Sequence, residues 1–308
     1  LLSSMENLSL NETYGTILKG FYGVIKSSDA SLRFAFLTGV TKFSKVSVFS
    51  DLNNLRDISL LPDFSAICGI TENELKSSFH SEITALAEAN DLSEESTFLK
   101  LKQKYDGYCF SERGTSVYNP FSLLNVFAGK VFRDFWYSTG TPTFLVKYLK
   151  EGCYYIPELD GDIQIDEYGL NAYRADPILP IPILFQAGYL TIKDYDKEYG
   201  LYRLGFPNDE VRYGFLHNLM PAFTPIGAEK TGVSVMEFTK AVKAGDVDAF
   251  MKKMQALISG IPYDNLAEKD LALREQNYQA AVYLIFALMN QFVQTEIHCS
   301  TGRADCIV

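Results

Sequence analysis

Residues 178–220 read "ILPIPILFQAGYLTIKDYDKEYGLYRLGFPNDEVRYGFLHNLM", and their rhythm changes twice. An apolar run predicts a short helix ending at Gly188, a residue that stops helices because it tolerates positive φ. Two strand-like stretches, Tyr189–Lys193 and Leu201–Leu204, flank the polar turn "DYDKEYG", which predicts a hairpin. Asn208 then stands as an N-cap, and Val211, Phe215, Leu216 and Leu219 recur at helical spacing. The order is helix, hairpin, helix.

That order outlines a winged-helix-like module, expected over residues 152–225. The preceding stretch, 62–151, predicts helices. Thr71-Glu-Asn-Glu74 is a capping box for a helix to about Glu88, and Ser93 starts another to about Lys104. "YDGYCFSERGTSVYN" predicts a hairpin, with Asp106 and Gly107 serving its turn chemistry. Asn119-Pro120 and Thr141-Pro142 each pair an N-cap with Pro at the first helical position.

The two ends are α/β in texture. Ser9-Leu-Asn-Glu12 is a further capping box, followed by an amphipathic helix to about Ser27. "LRFAFLTG" then predicts a buried parallel strand over Leu32–Leu37, with Thr38 and Gly39 at its C-terminal end, and a second short strand is expected at Ile58–Leu60. "FTPIGAEKTG" reads as a linker. Ser234 caps a fresh helix that Gly245 ends, one more helix covers Val247–Ser259, and a long one covers about Ala267–Met289. "FVQTEIHC" and "ADCIV" close the chain as strands.

The 308 residues allow about two domains, and 38 acidic against 28 basic side chains leave a net charge of −10. That balance excludes a general phosphate-binding surface. Five Cys are scattered without a C-x-x-C pair, which fits a reducing, cytoplasmic setting. No run of about 18 apolar residues predicts a membrane span. His80, His217 and His298 lack metal-ligand spacing, and no G-x-S-x-G announces a nucleophile.

Six stretches, in this order, resemble one bacterial family: "RFAFLTGVTKFSKVSVFSDLNNLRDISL", "YDGYCF", "VYNPFSLL", "FWYSTGTPTFLVKYL", "LFQAGYLTIKDYD" and "LGFPNDEVR". Its members join an AAA-ATPase-like domain to a nuclease-like domain of the PD-(D/E)XK superfamily. The resemblance implies an α/β plus mainly helical protein. Residues 1–61 would be the rear of a P-loop AAA-type core, 62–151 a helical lid, 152–225 the winged-helix-like connector and 234–308 the start of the nuclease-like domain. The family's phosphate-cradling G-x-x-x-x-G-K-[ST] motif, its acidic magnesium strand and its nuclease Glu-x-Lys are not found between Leu1 and Val308. The chain is therefore expected to be a fragment.

The resemblance also assigns roles. Asp305 matches the metal-binding Asp of the first nuclease strand, because Mg²⁺ takes carboxylate oxygens and polarises a scissile phosphate. The plain alternative is a strand-edge Asp facing solvent. Glu275 resembles the helical acid that completes such sites; it equally suits a helix start. Thr38 matches a residue that senses the γ-phosphate, and Lys42 and Lys45 would lie near phosphates; a Thr before Gly is otherwise a strand end. ATP and Mg²⁺ are implied for the parent, with neither expected to bind this segment tightly. Nucleic acid is the implied substrate of a complete nuclease domain, and a homo-oligomer is a further expectation. Two other functions compete: a regulatory ATPase with a degenerate nuclease fold, and a winged-helix DNA binder using Arg203 and Arg212. The acidic turn residues Asp194, Asp196 and Glu198 oppose the latter.

Overall fold

A computed structural model describes residues 8–39, 55–136, 143–152, 154–161, 163–170, 180–261, 271–289, 294–299 and 302–307. Helix α1 spans Leu8–Ser27. It begins one residue before Ser9, so Ser9 is not its N-cap; the Ser9 carbonyl instead accepts the Thr13 hydroxyl at 2.9 Å. The strands expected at Leu32–Leu37 and Ile58–Leu60 do not form. A buried strand needs neighbours on its ladder, and no described strand pairs with 32–37, where Phe34 is 79% exposed. At 57–61 the Asp57 carboxylate accepts the Ser59 N–H at 3.0 Å and Leu61 N–H bonds back to Ile58, which makes a turn.

Strand β1 (Ile70–Thr71) leads through the Thr71–Glu74 capping box into α2 (Glu72–Ser78). Phe79 breaks the single helix expected here, and α3 (His80–Ala89) follows. Helix α4 (Glu94–Tyr105) starts from the Ser93 cap. Strand β2 (Val117–Tyr118) pairs antiparallel with β1, and Asn119 caps α5 (Pro120–Gly129) through the N–H groups of Phe121 and Ser122. The expected hairpin over 105–119 narrows to a single bridge, Tyr108 to Val117, closed by the turn at 111–114. The helices α2–α5 share one core: Leu75, Leu86, Leu101, Tyr105, Tyr118 and Leu123 are all fully buried. Each such side chain contributes about 1.5–3 kcal/mol.

Helix α6 (Thr143–Glu151) precedes β3 (Ile163–Asp166), α7 (Glu167–Leu170) and α8 (Ile181–Gln186). Strand β3 was not expected from the sequence; its Gln164 and Asp166 make a short, weak alternation. Helix α8 ends in a Schellman motif: Tyr189 N–H bonds Leu184 O, Gly188 N–H bonds Phe185 O, and Gly188 takes φ +80°. The hairpin β4 (Thr191–Asp196) and β5 (Leu201–Gly205) follows, and the antiparallel sheet runs β3-β5-β4. Helix α9 (Asp209–Phe223) starts from Asn208, whose side chain accepts the Val211 N–H at 3.1 Å.

Helix α10 (Ala228–Lys243) occupies the second half of the expected linker, because Ala228, Glu229 and Lys230 are good helix formers; Ser234 lies inside it. Gly245, at φ +67°, reverses the chain into α11 (Val247–Ser259), which Asp246 caps. Helix α12 (Leu271–Leu288) is buried nearly all round from Ala280 to Leu288. An all-round apolar helix must lie inside, and α12 packs on α9 and α10. Strands β6 (Gln294–Cys299) and β7 (Gly302–Ile307) form a separate antiparallel pair. Among the described residues, no helix is long and apolar enough to cross a membrane.

Candidate functional site

Five of the six stretches quoted above meet at one joint between the α2–α5 helices and the β3-β5-β4 sheet. Gly107 takes φ +99°, and a β-carbon there would stand 2.1 Å from the Pro207 carbonyl oxygen. Only glycine permits both the conformation and the approach. The Asn208 amide donates to the Asp106 carbonyl at 2.9 Å, while the Asp106 carboxylate accepts the Ser116 hydroxyl at 2.6 Å. Beside them, the Thr191 hydroxyl accepts the Cys109 N–H at 2.7 Å and donates to the Cys109 carbonyl at 2.9 Å. Residues 108–110 thereby cover part of the open edge of β4, which would otherwise offer unpaired N–H and C=O groups.

Lys193 owes its position to a β-bulge. Ile192 pairs with Leu204 and Asp194 with Arg203, so Lys193 is the extra residue. Lys193 is exposed as a residue, and its part-buried ammonium donates to the Pro207 carbonyl at 3.1 Å. Burial, aided by the nearby Arg203 charge, holds its pKa below the ordinary lysine value.

Glu210 is the second residue of α9 and is fully buried. Its carboxylate accepts the Ser122 hydroxyl of α5 at 2.6 Å and the Trp136 N–H at 2.9 Å. Burial pushes its pKa up, opposed by these donors and the Phe135 N–H. Trp136 meets Tyr189 edge-on at 5.0 Å between ring centroids, and Tyr189 packs on Phe215 at 4.9 Å.

Two residues further, Arg212 grips Asp160 with two parallel bonds of 2.7 Å each, and a third N–H reaches the Ala287 carbonyl of α12 at 3.2 Å. The Tyr283 hydroxyl of α12 also donates to Asp160. The planar guanidinium fork explains the choice of Arg at this position. Arg203 lies 3.6 Å from Asp194 and donates to the Gly161 carbonyl at 3.5 Å. Both arginines considered for nucleic-acid contact therefore have intramolecular partners.

The residues singled out for chemistry that are described sit on three different segments. Thr38 is exposed and outside any helix or strand; Lys42 and Lys45 lie outside the described residues. Glu275 is exposed on α12. Asp305 belongs to β7, where the pairs Thr295–Cys306 and Ile297–Ala304 bracket it together with Glu296. Among the described residues, no group of three His, Cys, Asp or Glu could hold a metal. His217 packs tilted against Tyr213 at 5.9 Å between ring centroids, and burial lowers its pKa.

The sequence did not single out Glu210 or Asp160. An acid in the first turn of a capped helix ordinarily faces solvent and offsets the helix dipole. The available signal was the phase of α9: Glu210, Gly214 and the buried Val211 and Phe215 share one side of the helix.

A family model described as "Predicted AAA-ATPase" matches residues 1–49. Over 297 residues the chain is 38% identical to an uncharacterized protein in the vnfD 5′ region of Azotobacter chroococcum mcd 1, covering 94% of this chain and 54% of that relative. The chain thus spans about half the length of the curated relative it matches. No solved structure matches it. The N-terminal segment is AAA-ATPase-like in sequence.

Proposed function

We propose that this chain is part of an ATP-binding, AAA-type protein with a nuclease-like C-terminal domain. In this proposal the region from β1 to α12 couples the two ends mechanically and carries no chemistry of its own. One observation bears most of the weight: the start of α9 carries three separate sets of partnered polar groups. Asn208 holds Asp106, Glu210 holds Ser122, and Arg212 holds Asp160, which Tyr283 also reaches. Each contact is a hydrogen bond or ion pair inside the fold, and the α9 backbone ties the three sets together, which suits a rigid coupling. The AAA-like match over residues 1–49 supports the nucleotide half of the proposal.

The test reads the gene on either side of the codons for Leu1 and Val308. A G-x-x-x-x-G-K-[ST] upstream is expected, together with a Glu-x-Lys within about 10–20 residues downstream, the reach of one hairpin. Magnesium-dependent DNA cleavage by this chain alone would overturn the proposal. A missing Glu-x-Lys would favour the second function, a regulatory ATPase with a degenerate nuclease fold. A winged-helix DNA binder has less support. Helix α8, which precedes the hairpin, buries Ile181, Pro182, Ile183 and Leu184, whereas a reading helix must present side chains to base edges.

A further inference from the structure

We infer that Glu210 is a proton-controlled latch in the joint between α5, the segment 133–136 and α9: ionised, it loosens the joint; protonated, it tightens it. This goes beyond the nucleotide proposal and does not depend on it. The geometry is that of a buried acid with donors but no counter-ion. Glu210 is fully buried, and its two oxygens tie α9 to Ser122 of α5 and to the Trp136 backbone. Among the described residues, no Lys, Arg or His pairs with it.

The surrounding charges reinforce this. Asp134, on the bonded segment, faces Glu210 and disfavours its ionised form, and Lys104 of α4 is already taken by Asp134 at 2.6 Å. Tyr105 of α4 and Tyr108 of the following loop feel the same carboxylate and stay neutral. On α9 itself, Arg212 is committed to Asp160, and Tyr213 and His217 lie within range of Asp134. Helix α5 carries no charged side chain.

Either protonation state can satisfy the donors geometrically. A carboxylic acid still accepts the Trp136 N–H through its C=O and can donate its own proton to the Ser122 oxygen. What differs is the cost of enclosing a charge. Burial, the largest influence, raises the pKa above its ordinary value. A raised value in the closed joint means that closure binds the proton more tightly than opening does. The stabilisation is thus complete at pH below the ordinary value of 4.5 and is lost as pH rises through the closed-state pKa. Opening of the joint exposes Glu210, so the same linkage governs local opening.

Native-state hydrogen exchange, corrected for intrinsic rates, tests this from about pH 5 to about pH 8. In the parent chain, amides of α4, α5 and 133–136 should open more often as pH rises, about tenfold for each unit by which the pKa is raised. Glu210→Gln mimics the protonated acid and should abolish the slope at those amides. Asp134→Asn should move the profile to lower pH, which keeps the idea testable should Glu210→Gln fail to fold. A parental slope retained in Glu210→Gln, or an unmoved profile in Asp134→Asn, would overturn the latch.

Discussion

Gly107 and Pro207 lie about a hundred residues apart in sequence, yet a β-carbon on the first would stand 2.1 Å from the carbonyl oxygen of the second. The oxygen cannot simply give way, because Lys193 and the Asn208 cap fix the Pro207–Asn208 turn from the other side. Gly107→Ala should therefore lose about 3 kcal/mol, combining left-handed strain with a backbone clash. Denaturant unfolding with an unchanged slope and a lower midpoint would register it. A loss under about 0.5 kcal/mol, the size of a neutral surface change, would show that the approach is not tight.

Asn208 serves two masters, capping α9 with its oxygen and holding the Asp106 carbonyl with its amide. Asn208→Ala should cost about 2 kcal/mol, a cap plus one orphaned buried carbonyl. Asn208→Asp keeps a capping oxygen but turns an acceptor toward an acceptor, so it should recover little at neutral pH. Thermal melts of the two variants side by side distinguish these contributions.

Thr191 is isosteric with Val, and its hydroxyl both accepts from and donates to the Cys109 backbone. Thr191→Val should cost about 1–3 kcal/mol, because it strands the part-buried Cys109 N–H while keeping the shape; the Cys109 carbonyl keeps the Ile192 N–H at 3.3 Å. The Cys109 thiol, which bonds the Ser111 carbonyl at 3.3 Å, should also become more accessible to a thiol reagent. Unchanged labelling and an unchanged melt would argue against this edge-covering role.

The Arg212–Asp160–Tyr283 group joins the sheet side of the fold to α12. Arg212→Ala leaves Asp160 with a charge and one partner fewer, and about 2–3 kcal/mol should be lost, reduced from a fully buried case because both side chains are about a quarter exposed. Arg212→Lys should recover only part, since an ammonium cannot make two parallel bonds. A double-mutant cycle with Tyr283→Phe should show coupling above about 0.5 kcal/mol. Simple additivity would mean that the three do not act as a unit.

Local chemistry in the sequence located most elements. The Thr71, Ser93, Asn119 and Asn208 caps start helices where cap chemistry places them, Ser9 and Ser234 instead lie inside helices, and Gly188 and Gly245 both follow helix ends at positive φ. Caps are legible because a cap is settled within four residues. Strand β3 was not, because its four residues gain their stability from β5, forty residues away. Leu32–Leu37 failed in the opposite sense: an apolar run looks like a buried strand whether or not a partner ladder is present. The joint was half legible. "YDGYCF" and "LGFPNDEVR" stood out as strings, yet that Gly107 touches Pro207, or that Glu210 is buried, depends on packing between distant segments.

Coupling across the joint is the central claim, and hydrogen exchange of the proposed parent protein, with and without Mg-ATP, tests it most directly. Nucleotide should slow exchange at residues 105–110 and 133–136 and at α12 together, by about tenfold, and Gly107→Ala should leave any nucleotide effect on α4 but remove it from α12. Nucleotide binding that leaves the joint and α12 unchanged would contradict the account.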